Sequence, residues 1–79
     1  MPRYYFHLNQ SGGRLDDEEG LPLPDAEAAW YQAVRSAREL IRAELTLGGQ
    51  WDHQAIEIVD ERGAQVDRLP LADIATYAL

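Results

Sequence analysis

Residues 25–47 carry a helical repeat that no other stretch of this chain matches, and that repeat constrains the fold more than anything else in it. Projected at 100° per residue, Ala26, Ala29, Trp30, Ala33, Val34, Ala37, Leu40, Ile41 and Leu45 fall within an arc of roughly 160°. A helix apolar over so wide an arc must bury that face against another layer. Ala29, Ala33 and Ala37 recur at i, i+4 and i+8, a stripe of small side chains that lets the helix lie close to that layer. Asp25 is placed to cap the first turn, Glu27 puts negative charge where the helix dipole favours it, and Gly48-Gly49 offers a left-handed stop.

The flanking stretches supply the layer. Between residues 3 and 9, Tyr4, Phe6 and Leu8 alternate with Arg3, Tyr5, His7 and Asn9, the period of two that marks a strand with one buried face. Ser11-Gly12-Gly13 reads as a turn and residues 14–16 as a short return strand. Residues 21–24, Leu-Pro-Leu-Pro, read as extended, because each proline drives its predecessor out of the helical region. Residues 54–60 alternate again, carrying Ile56 and Ile58. Asp60-Glu61-Arg62-Gly63 fits a hairpin turn, and residues 64–69 form the return strand, which Pro70 stops. Residues 71–79 hold enough apolar side chains, at Leu71, Ile74 and Ala78, for about two helical turns that must dock or fray. The expectation is a single α+β domain over residues 1–79: a three- to four-stranded antiparallel sheet, one long helix packed across one face, and a short C-terminal tail or helix. The strand order is left open.

Composition narrows function by exclusion. The chain has no cysteine, so disulfides, thiolate zinc sites and cysteine nucleophiles are out of reach. Its net charge is −7, and every basic side chain is an arginine. A negative field repels phosphate backbones, so no nucleic-acid partner is expected. No run approaches the roughly 20 apolar residues of a membrane helix, and the N-terminus lacks a signal-peptide core. No membrane partner is expected, and the expected location is cytoplasmic.

Individual side chains point weakly to chemistry. His7 and His53 lack the spacing of a metal site, and exposed, partly hydrogen-bonded histidines are the plainer reading. The run Asp16-Asp17-Glu18-Glu19 lacks the alternating ligands of a calcium loop and reads as a solvated turn. Glu44 projects to the middle of the apolar arc. The sheet is expected to have ended by then, leaving the carboxylate in water; an ion pair with Arg14 or Arg68 and a subunit contact are the alternatives. The few glycines and serines form neither a phosphate loop nor a nucleophile elbow. No catalytic residue, metal or cofactor is expected. Arg35, Arg38 and Arg42 share one helix face and should form a solvated basic ridge flanked by Glu39. Trp30 and Trp51 read as core, or as interface if exposed. With Tyr5, Val59 and Tyr77 they are the candidate interface residues, and the outer sheet face at Tyr5, Ala55 and Val59 is less polar than a fully solvated face.

The opening M-P-R-Y-Y-F-H-L, the acidic D-E-E-G, the L-P-D before the helix and the run R-S-A-R-E-L-I within it together resemble a family of small proteins from rhizobia and related alphaproteobacteria. That family opens M-P-R-Y-F-F-H and closes with an I-x-V-x-D-E-x-G hairpin, here residues 56–63. The similarity runs over nearly the whole chain, with Tyr5 standing where phenylalanine is common. It implies a bacterial, cytosolic protein built on a domain of unknown function, and implies no activity.

Three functional readings follow. The first is a small non-enzymatic protein-interaction or regulatory module that pairs with itself as a homodimer. The second is an antitoxin-like acidic partner that masks a basic protein. The third is a small metal-binding protein or enzyme that uses His7, His53 and the acidic loop.

Overall fold

The computed structural model describes residues 1–49 and 51–78, the side chains of Tyr77 and Ala78 excepted. The expectations attached to the Tyr77 and Ala78 side chains and to Leu79 therefore lie outside the described residues. The elements, in chain order, are β1 (Arg3–Gln10), β2 (Gly13–Leu15), β3 (Leu21–Pro22), α1 (Ala26–Leu47), β4 (Ala55–Asp60), β5 (Gln65–Pro70) and α2 (Leu71–Ala78). The architecture is α+β: an open antiparallel sheet of five strands, one long helix and a short C-terminal one.

The sheet runs β2-β1-β4-β5, with β3 also paired to β1. The first strand thus joins the leading member of the later hairpin. Tyr4, Phe6 and Leu8 stand opposite Asp60, Ile58 and Ile56, so the apolar faces of both strands coincide. Since β4 occupies one edge of β1, β2 and β3 share the other. The expected three or four strands become five because residues 21–22 do more than extend. Arg3 faces Pro22, Tyr4 faces Leu21, and the Leu23 N–H reaches the Pro2 carbonyl at 3.0 Å. Proline is tolerated there because β3 lies at an edge.

The helix begins and ends where its sequence signals stand. The Asp25 carboxylate accepts the Ala28 N–H at 2.9 Å, and Gly48 is left-handed at φ 76°. Both glycine N–H groups turn back to the Glu44 carbonyl, Gly49 at 2.8 Å. Ala29, Ala33, Val34, Ala37 and Ile41 are buried and pack with Tyr4, Ile56, Ile58 and Leu69 of the sheet. Within the sheet α1 lies against β4 and β5, and it packs on α2 as well. The apolar arc is shorter than projected: Ala26 is exposed, and Leu45 is 60% exposed. Length is the reason. A helix of 22 residues spans about 33 Å, whereas strands of six residues span about 20 Å, so the last turns overhang the sheet.

The hairpin closes as its turn sequence implies. Asp60 Oδ1 accepts the N–H groups of Arg62 and Ala64, and Gly63 sits at φ 87°. A bulge at Ile58/Val59 shifts the β4–β5 register. Pro70 does not merely stop the strand; it is the last paired residue, opposite Ala55, and α2 starts at the next position. The tail docks. Leu71 and Ile74 are buried in the common core, α2 packs on α1 and β5, and the Leu71 N–H donates to the Gln54 carbonyl at 2.9 Å.

Candidate functional site

Among the described residues, a group of linked polar side chains lies on the sheet face away from α1, at the middle of β1. Alternation along β1 sends Tyr5, His7 and Asn9 to that face, and the register sets them opposite Val59, Glu57 and Ala55. Tyr5 stacks on His7, ring centroids 6.4 Å apart and 16° from parallel. Arg14, on β2, donates from Nε to Asp16 at 2.7 Å and from Nη1 to Glu57 at 3.1 Å. Glu57 in turn stands across from Arg68 on β5. Neither Arg14 nor Arg68 is an ion-pair partner of Glu44, which makes no ion pair among the described residues. The half-buried Glu44 side chain instead folds back over the backbone of Gly49, occupying the place where a Cβ at that position would stand.

The acidic loop is more ordered than a solvated turn. Its centre is Asp17, whose Oδ2 accepts the Phe6 N–H at 3.1 Å while Oδ1 accepts those of Glu19 and Gly20 at 3.2 and 3.1 Å. The Asp17 N–H donates to His7 Nδ1 at 3.0 Å. Partial burial pushes the Asp17 carboxyl upward. The N–H groups of Gly20, Phe6 and Glu19, with the nearby His7, outweigh that and hold it below the usual aspartate value. Gly20 closes the loop at φ 69°, and a Cβ there would meet the Tyr5 ring at 2.8 Å and the Tyr4 carbonyl at 2.9 Å. Only glycine satisfies both constraints. The readable signal was the aspartate followed three residues later by glycine, the pattern of a side chain that bonds its own turn.

The remaining candidates are dispersed. His53 is exposed and faces Asp52 at 3.7 Å. Among the described residues no three His, Cys, Asp or Glu side chains are grouped as a metal site requires. Trp30 and Trp51 are neither fully core nor exposed: both are half-buried against the core, with Trp30 edge-on to the exposed Tyr31 at 5.2 Å. Tyr5 and Val59 are half-buried on the opposite face. Of the three ridge arginines, Arg35 and Arg42 are exposed and Arg38 is half-buried. Its stem lies beside Val34 and Ile41, at i−4 and i+3 on the rim of the buried stripe. Its Nε is out of solvent without a hydrogen-bond partner among the described residues.

The sequence profile of the domain of unknown function DUF6894 matches residues 3–72, from the first residue of β1 into α2. The chain belongs to the DUF6894 family. The DUF6894 match therefore includes the loop at Asp17, all of α1 and the β4–β5 hairpin. No curated protein and no solved structure matches the chain. No helix among the described residues is long and apolar enough to cross a membrane.

Sequence reasoning missed a second feature, exposed apolar side chains on β2 and α1. β4, the element that follows α1 in the chain, starts beside the β1–β2 turn and pairs back along β1. Leu45 and Leu47, 60% and 81% exposed, sit on the overhanging turns. Leu15, 59% exposed, extends the helix-facing sheet surface beyond Leu8, in a part of the sheet remote from β4 and β5. A helix pattern reports an apolar face; it does not report where the opposing layer stops.

Proposed function

We propose that this protein is a small non-enzymatic interaction module that associates with a second copy of itself. The observation that carries the reading is the exposure of three leucines, Leu15 on β2 and Leu45 and Leu47 on the last turns of α1. Exposed apolar side chains of this size favour association, and a two-fold pairing would set the same surface of each copy against the other. The half-buried Trp30 and Trp51 are candidate contributors at its margins, while Tyr5 and Val59 belong to the opposite face. A thin core in a chain of 79 residues gives association a further advantage in stability. The bacterial origin and cytoplasmic location implied by the sequence resemblance belong to the same proposal.

Light scattering across the micromolar range tests it. The expected result is a concentration-dependent dimer that strengthens as salt screens the −7 charge of each copy. The double substitution Leu45→Glu, Leu15→Glu is expected to abolish the dimer and leave the fold intact, because both side chains are already solvated. A chain that stays monomeric at every concentration and salt level would overturn the proposal.

A further inference from the structure

Independently of self-association, we infer that His7 and the loop at residues 16–20 form a proton-sensitive latch on the open edge of β1. On that edge β3 pairs with residues 3–4 and β2 with residues 8–10, leaving residues 5–7 without a strand partner. The loop fills the gap from both directions: the Phe6 N–H goes to the Asp17 carboxylate, and the Asp17 N–H goes to His7 Nδ1, at 3.1 and 3.0 Å. An imidazole nitrogen that accepts an N–H carries no proton of its own, so the closed latch holds neutral His7 with its proton on Nε2.

Adding a proton to the imidazole places it on Nδ1. Two donors then face each other, and the bond to the Asp17 N–H is lost. A replacement acceptor is already in place, since Asp16 Oδ1 lies 3.7 Å from Nδ1. The charged groups around the ring act in both directions. Asp16 and Asp17 from the loop and Glu57 from β4 favour the imidazolium. Arg14 from β2, bonded to both Asp16 and Glu57, opposes it, and Arg68 from β5 stands behind Glu57. On β1 itself the neighbour is the uncharged Tyr5 ring. Protonation therefore exchanges partners: Nδ1 turns from the Asp17 amide to the Asp16 carboxylate. The loop shifts with it, Asp17 withdraws from Phe6, and the edge at residues 5–7 is uncovered. The latch is therefore closed while the imidazole is neutral and open once it carries a second proton.

Nitrogen-15 NMR of the full chain, titrated from about pH 8 to about pH 5, tests the latch. At the upper end His7 should show an unprotonated Nδ1 and a protonated Nε2. As it protonates, the amide protection factors of Asp17 and Phe6 should fall by about tenfold or more with the midpoint of the imidazole itself, while those of β4 hold. His7→Asn places a carbonyl oxygen where Nδ1 stands and does not titrate, so the variant should keep Asp17 protected across the range. Three results would overturn the inference: His7 carrying its proton on Nδ1 at the upper end, Asp17 protection indifferent to His7 titration, or an unchanged transition in His7→Asn. The wild-type titration decides the matter even where the variant folds poorly.

Discussion

Asp17 shows how much one side chain can carry in a loop that looks merely acidic. Its carboxylate serves three backbone N–H groups at 3.1–3.2 Å, two within its own turn and one on β1. Those bonds favour the charged form, and with His7 they outweigh the cost of partial burial. A carboxyl held below its unfolded value stabilises the fold at pH values above the ordinary 3.8, and that stability is lost as the pH falls through the lower folded value. Asp17→Ala is accordingly expected to cost about 1–2 kcal/mol at neutral pH. The gap between variant and wild type should narrow as the latch opens and close fully only in acid below the ordinary aspartate range. Urea unfolding of both proteins at neutral and acid pH measures this, and equal stability at neutral pH would refute it. The identity of the loop as a turn was legible from Asp17 and Gly20. Its attachment to His7 was not, because that bond joins residues ten positions apart and depends on which edge of β1 is left open.

At the scale of the element, α1 is where local sequence and final structure agree most closely. Its cap, its left-handed stop and its alanine stripe all stand where their chemistry places them. Ala29, Ala33 and Ala37 are fully buried, so no space remains above them for a larger side chain. Ala33→Leu is expected to destabilise by about 1–3 kcal/mol through overpacking. The exposed Ala43→Leu should stay within about 0.5 kcal/mol of wild type. Thermal melts of the two variants side by side separate packing from helix propensity, and an unperturbed Ala33→Leu would show that the helix stands off the sheet. Arg38 belongs to the same lesson. A heptad-like offset placed it with Arg35 and Arg42, yet its stem joins the rim of the buried face, because the buried arc reaches Val34 and Ile41 on that side.

At the scale of the whole molecule, stability depends on the last few residues of the described chain. A chain of 79 residues has a stability on the order of 4–12 kcal/mol. Ile74, from a helix too short to persist alone, is 1% exposed in the core shared by both helices and the sheet. Ile74→Ala is expected to cost about 2–4 kcal/mol, a large share of that total. Chemical denaturation should show a lower midpoint with an unchanged slope. A loss well below 1 kcal/mol would mean that α2 is an accessory rather than part of the core.

The sequence by itself determined the elements whose signals are local. These are the long helix with its caps, the period-two strands, the hairpin around Gly63 and the need of residues 71–79 for a docking place. Such signals follow from backbone geometry and from side chains a few positions apart. The tertiary structure alone decided that β1 joins β4 and leaves residues 5–7 for Asp17 to cover. It also decided that Leu21 and Pro22 pair as a fifth strand, that Glu44 turns onto Gly49, and that Leu45 and Leu47 overhang into solvent. Each of those outcomes depends on the relative length and placement of layers distant in the chain, which no local periodicity encodes.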